Sequence, residues 1–115
     1  MNNYKKTYIF ERKGKTEEQI KKFISLRFKN NNVFISKPIL TDTTYSFTTY
    51  SKISYDNLVN KLVKEKYSDS EEFALINKGI ADSNNSEYIE YRNFVANCKT
   101  QAKEFIEERQ RVIGN

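Results

Sequence analysis

Thr44-Tyr45-Ser46-Phe47-Thr48-Thr49-Tyr50-Ser51 is the stretch that decides the fold. Its β-branched and aromatic residues suit a pleated, half-buried surface better than a helix, so it reads as a strand. Upstream, Tyr4 to Arg12 reads as another strand. Tyr4, Lys6, Tyr8 and Phe10 point one way, and Lys5, Thr7, Ile9 and Glu11 point the other. Lys13-Gly14-Lys15 breaks that alternation. Thr16-x-x-Gln19 is a capping box that opens a helix to about Lys29, with Ile20, Phe23, Ile24 and Phe28 on one face. Asn30-Asn31-Asn32 ends the helix, since Asn tolerates the left-handed conformation of many helix stops. Val33 to Ser36 is a short apolar strand, and the sole proline, Pro38, belongs at a strand end or a sheet edge. The first half therefore reads β-α-β-β. Its long βα connection lets the first two strands pair in parallel, and the Pro38–Thr43 link suits a hairpin.

Downstream the period changes from 2 to 3.6. Ser54 is a good N-cap, with Ile53 and Leu58 spaced as a hydrophobic staple, and Tyr55, Leu58, Val59, Leu62 and Val63 form a helical stripe. Ser68-x-x-Glu71 is a second capping box, opening a short helix that bears Phe73, Leu75 and Ile76. Gly79 reads as the residue just past its end, with Ile80 folding back on Leu75. After the polar loop Asp82 to Ser86, a last helix runs from about Glu87 to Val112, on the order of 39 Å long. Its apolar positions Tyr88, Tyr91, Val95, Cys98, Ala102 and Phe105 step by threes and fours, and Arg109 interrupts them before Val112. The fold class is α+β: an N-terminal β-α-β-β unit over residues 1–52, then three helices over 53–115, the last one long. At 115 residues this is the size of a single domain, with the joint near Ser51–Ser54 dividing two subdomains.

The chain is polar, with 37% hydrophobic and 30% charged residues, yet eight Phe and eight Tyr make an aromatic core feasible without Trp. The net charge of +5 is unevenly placed. Residues 1–40 hold ten Lys/Arg against three Asp/Glu, while 83–115 hold five of each. No leader peptide and no membrane-spanning run is expected, and the single Cys98 precludes an internal disulfide, which suits a reducing compartment.

Catalytic equipment is not expected either. There is no histidine, hence no Ser-His or Cys-His pair. Cys98 lies on an apolar stripe and reads as buried packing. Three glycines cannot build a phosphate-cradling loop in the usual way. Asp82-x-Asn84-x-Ser86 resembles a calcium loop only until position six, where Glu87 replaces the required Gly. The adjacent pairs Glu71-Glu72 and Glu107-Glu108 point about 100° apart on a helix, which is no general acid/base geometry. No cofactor and no metal is expected.

The residues from Tyr55 to Lys103 carry a further signal. Tyr55-x-x-x-Val59-x-x-Leu62-Val63-x-x-Lys66-Tyr67-Ser68 is followed by Glu72-x-Ala74-Leu75-Ile76. Then comes Glu87-Tyr88-x-Glu90-Tyr91-x-x-Phe94-x-x-x-Cys98-Lys99-x-x-Ala102-Lys103. In order and spacing this resembles a module of small phage- and prophage-encoded proteins, especially of gut bacteria, a family without a defined activity. Between Asn77 and Ser86 the chain departs from the family pattern, which has an Arg-rich, Pro-containing connector there. The resemblance implies a phage gene expressed in the bacterial host cytoplasm, with the product in the virion if it is structural.

Two readings follow. In the first, a non-enzymatic phage structural or assembly protein (a capsid, neck or tail component) contacts other phage structural proteins or a second copy of itself. Phe105, Ile106, Val112 and Ile113 would carry that contact by outrunning the core. In the second, a small regulatory protein binds nucleic acid or a host defence factor through a basic patch of Lys5, Lys6, Arg12, Lys13, Lys15, Lys21 and Lys22. Sheet aromatics stack bases while lysines neutralise phosphates in such sites. The same residues also read more simply, with Tyr8 and Phe10 covering the first helix and the lysines keeping the surface soluble.

Overall fold

The computed structural model describes residues 3–114. Its elements run β1 (Lys5–Glu11), α1 (Glu17–Arg27), β2 (Val33–Ile35), β3 (Ile39–Leu40), β4 (Thr44–Ser51), α2 (Tyr55–Lys64), α3 (Asp69–Ala81) and α4 (Ser86–Ile113). The architecture is α+β, a sheet region followed by helices of which the last is long. Two compact units are present: Met1–Ile53 with Arg109–Asn115, and Ser54–Glu108. The end of the last helix, from Arg109, belongs with the sheet rather than with the other helices.

In the sheet unit β4 is the central strand. β1 pairs with it antiparallel over seven residue pairs, Lys5↔Tyr50 through Glu11↔Thr44. β2 and β3 pair with β4 on its other side, also antiparallel. The expected parallel pairing of the first two strands is therefore not formed. Length decides this: β4 can match all of β1, whereas the three residues of β2 cannot. The expected hairpin is present, but it carries the extra strand β3 and turns at Thr41–Thr44, where Thr41 Oγ1 accepts from the Thr43 and Thr44 amides. Between Ile35↔Thr49 and Ile39↔Ser46, three residues oppose two, which is a bulge containing Pro38. Ser36 Oγ accepts from Thr48 N–H at 2.9 Å there. The outer edge is where a proline costs no ladder bond.

α1 lies on one face of this sheet because its apolar stripe finds an aromatic partner. Ile20, Ile24 and Phe28 are buried together with Tyr45 and Phe47, and Tyr8, Phe10, Val33, Ile35 and Leu40 pack around them. Phe47 is the hub, stacked on Tyr8 at 5.2 Å and met edge-on by Phe28 at 5.5 Å. α1 does not stop through a left-handed asparagine. Phe28 caps it with φ −106°, and Asn31 N–H bonds back to Phe28 O at 3.1 Å. The left-handed non-glycine among the described residues is instead Lys13 at φ 52°, followed by Gly14 at 72°. With Lys15 N–H on Arg12 O at 3.1 Å, these two form a tight turn after β1.

In the helical unit the buried side chains come from α2 (Leu58, Val59, Leu62, Val63) and α4 (Tyr91, Cys98, Ala102, Phe105). α3 buries none. Gly79 lies inside α3 rather than past its end, and the helix closes at Asp82. An added Cβ at Gly79 would stand 2.4 Å from the Tyr88 ring, so the glycine serves the approach of a side chain, not a helix stop. Ile80 does not fold back on Leu75 and stays exposed.

Candidate interaction surfaces

The basic residues of the N-terminal third do not converge on one spot. Arg12 is a clamp: its Nε donates to Lys15 O at 2.8 Å and Nη1 to Thr41 O at 2.9 Å, tying the turn after β1 to the turn before β4. Lys13 sits 4.0 Å from Glu11, and Lys21 pairs with Glu17 at 3.2 Å one helical turn away. Lys5 and Lys6 leave β1 on opposite faces, with Lys6 5.0 Å above the Tyr8 ring and Lys5 5.9 Å from the Tyr50 ring. Lys15 lies 5.1 Å over Phe23, and Lys22 is exposed on α1. Arg27 lies 5.7 Å over Phe10. Lys6, Arg27 and Lys15 thus form a row of cations over Tyr8, Phe10 and Phe23, each contact worth about 0.5–1 kcal/mol at an exposed site.

The apolar end of α4 is also divided. Phe105 retains 5% of its surface, so it is core and not an offered contact. Ile106 and Ile113 are half-buried, and Val112, 38% exposed, is the most open of the four. Arg109, which breaks the apolar seam, has a role that periodicity does not disclose. Its Nη1 donates to Ser51 O at 2.7 Å and Ile53 O at 2.9 Å, and its guanidinium lies 5.4 Å over Phe34. The cation thereby satisfies two carbonyls just as the last strand ends. A single arginine on an otherwise apolar stripe is the only sequence signal for this.

The more open surface lies on α3. Phe73 is 70% exposed, Ile76 43% and Ile80 78%, at spacings of three and four that put them on one helix face. With no fully buried side chain, the helix is held in large part by polar bonds. The Glu72 carboxylate accepts from Tyr91 Oη at 2.6 Å through Oε1 and pairs with Lys64 through Oε2, while Lys64 also pairs with Asp69. Lys78 bridges to Glu87 at 3.0 Å. Burial alone raises the Glu72 carboxyl, but the Lys64 and Tyr91 hydrogen bonds outweigh it and hold the group below its ordinary value. Tyr91 is pushed up to about 12, first by burial and then by its bond to Glu72. Lys64 is raised to about 12 by its bonds to Asp69 and Glu72. An open depression of about 440 Å³ beside these residues, lined by Lys66, Tyr67, Glu71, Leu75 and Lys78 among others, is crossed by the Lys66–Glu90 pair at 3.6 Å.

Chemically these groups hold rather than react. Tyr91 keeps its proton more firmly than a free tyrosine, and burial together with the charge of Glu65 raises the Cys98 thiol. Both shifts are opposite to what activates a nucleophile. Among the described residues no three Cys, Asp or Glu side chains gather as a metal site, and no helix is long and apolar enough to cross a membrane. Comparison with sequence families, with curated proteins and with solved structures gives no match.

Proposed function

We propose that this chain is a non-enzymatic phage structural or assembly protein, a capsid, neck or tail component that works through protein–protein contacts. The observation that carries the reading is the bare face of α3. Leaving Phe73, Ile76 and Ile80 in water is costly, at roughly 25 cal/mol per Å² of apolar surface, and a row of such residues on one helix face suits an apolar groove of a partner. The partner is another structural protein of the particle or a second copy of this chain. Mass spectrometry of purified particles and assembly intermediates tests this. The protein should be present at a fixed stoichiometry, and Phe73→Glu with Ile80→Glu should remove it while leaving the isolated protein folded. Absence of the unaltered protein from both particles and intermediates overturns the proposal.

The row of cations over Tyr8, Phe10 and Phe23 favours a second reading, a regulatory protein that binds nucleic acid or a host defence factor. Nucleic-acid binding of that kind weakens steeply with salt. A single-stranded oligonucleotide titrated at rising salt should then lose affinity, and a flat salt dependence would reject the reading.

A further inference from the structure

The two edges of the sheet are unlike. The β2/β3 edge is cut into pieces of three and two residues, interrupted by a bulge and by Pro38. These are the devices that keep an edge from accepting another strand. β1 forms the other edge, and it is not cut up: seven residues in unbroken register with β4, without proline or bulge, carrying lysines at its start that would repel a basic strand and admit an acidic one. Its ladder phase is fixed at both ends. Ser51 N–H bonds to Tyr4 O at 2.8 Å, and Arg12 N–H to Thr43 O at 2.8 Å. In an antiparallel ladder the hydrogen-bonded positions alternate, so the even-numbered residues of β1 turn their N–H and C=O groups toward β4. Thr7 and Ile9 therefore turn theirs outward, and Ile9 carries a side chain 71% exposed beside them.

Charge selects what fits this edge. Tyr4 to Lys15 holds five Lys/Arg and one Glu, and the whole sheet unit holds thirteen Lys/Arg against four Asp/Glu. We infer that the outer edge of β1 receives an acidic, extended segment of a partner protein as an added strand. The backbone of the segment bonds to Thr7 and Ile9, an apolar side chain lies against Ile9, and its carboxylates meet the lysines at either end. Backbone pairing supplies affinity in this mode and the flanking side chains supply specificity. An oligonucleotide fits less well, because the ring faces it would stack on are in use. Tyr8 lies between Phe47 at 5.2 Å and the Lys6 ammonium at 5.0 Å, and Phe10 packs on Tyr45 at 5.5 Å under Arg27. The inference stands on the geometry of the sheet unit and does not rest on the assembly role.

Amide hydrogen exchange on the full chain, read by NMR, tests it with a seven-residue peptide of alternating Glu and Val. At about 90% occupancy the Thr7 and Ile9 amides should exchange about tenfold more slowly, because only the unbound fraction opens to solvent. Tyr8 and Phe10, already bonded to β4, should change little. Ile9→Pro removes an outward N–H and no ladder bond, so it should keep the fold and lose the peptide. Thr7→Pro should do the same from the neighbouring outward position. A Lys-Val peptide of the same length should leave both amides unchanged. Three results would each overturn the inference: no protection at Thr7 and Ile9 by millimolar peptide, equal binding by the folded proline variants, or the same protection pattern from a single-stranded oligonucleotide. The assay uses purified protein alone, so its failure is separable from failure to find the chain in particles.

Discussion

Helices α1 and α3 open on the same device. Thr16 with Gln19, and Ser68 with Glu71, form reciprocal capping boxes, with backbone-to-side-chain bonds of 2.8 and 3.2 Å in the first and 3.1 and 3.2 Å in the second. From there the helices diverge. α1 buries Ile20 and Ile24, with Phe28 at its cap, against an aromatic sheet. α3 has no fully buried side chain, only the half-buried Glu72 and Leu75, and is fastened by Glu72, by Lys78 and by the Tyr88 ring lying over Gly79. A cap fixes where a helix begins; it does not say what the helix leans on. Apolar burial resists pH and salt, whereas a fastening made of charges is conditional and leaves the helix's own apolar face available to something else.

The comparison is broken most forcefully at Phe47. Phe47→Ala removes the ring that Tyr8, Phe10 and Phe28 all touch, at a cost of about 3–5 kcal/mol. Urea denaturation followed by near-ultraviolet circular dichroism should show the sheet unit losing its tertiary signal at a much lower midpoint. A loss under about 1 kcal/mol would mean that burial does not dominate there. Tyr91→Phe is the counterpart on the α3 side. It deletes one hydrogen bond to a carboxylate and almost no volume, so the helical unit should lose about 1.5–3 kcal/mol. Amide exchange in α3 should accelerate more than in α2.

The same fastening gives a pH signature. Glu72 is held below 4.5 in the fold, so its contribution is complete above that value and fades as the pH falls through the folded one. Lys64 and Tyr91 run the other way. Folded, both keep their protons to about 12, against ordinary values of 10.5 and 10.0. Their contributions are complete below about pH 10 and disappear as the pH climbs toward 12. Thermal melts of the helical unit should be nearly flat between about pH 5 and 10 and fall on both sides. Tyr91→Phe should soften both limbs, and a melt falling steadily through neutral pH would contradict the arrangement.

Much of this was legible in the chain, for one physical reason: periodicity reports which face of an element is buried. Tyr45 and Phe47 in β4, Ile20 and Ile24 in α1, and Leu58 and Leu62 in α2 are all buried as their spacing demands. Periodicity does not report neighbours. It could not show that β1 lies beside β4, since that depends on matching strand lengths across some 40 residues. Tyr50 shows the same limit: it alternates away from Phe47 and is still buried. Gly79 was misread, and the role of Arg109 was not visible, because these residues answer to partners outside their own helix, the Tyr88 ring for Gly79 and the Ser51 and Ile53 carbonyls for Arg109. The interaction surface was partly legible. The basic excess was plain, but Phe105 took a core place and the open apolar face lay on α3, where reading the helix as ended at Gly79 separated Ile80 from Phe73 and Ile76.

The finest distinction between the two helices lies in their caps. Thr16→Ala and Ser68→Ala remove equivalent hydroxyls, and each should cost about 1 kcal/mol, within a range of about 0.5–2. Equal losses should nevertheless open the helices to different extents. In α1, Ile20 sits in the first full turn and is wholly buried, so fraying must stop where it meets the sheet, and only the amides before it should exchange faster. In α3 the turn freed by Ser68→Ala carries Asp69 and Glu72, the two carboxylates that Lys64 grips. Loss of the cap there loosens the cap and the fastening together, and no buried side chain follows to stop it. Exchange should therefore rise along α3 as far as Gly79, where Tyr88 again holds the backbone. If the two variants instead fray by the same number of residues, the ionic fastening is as firm as an apolar core.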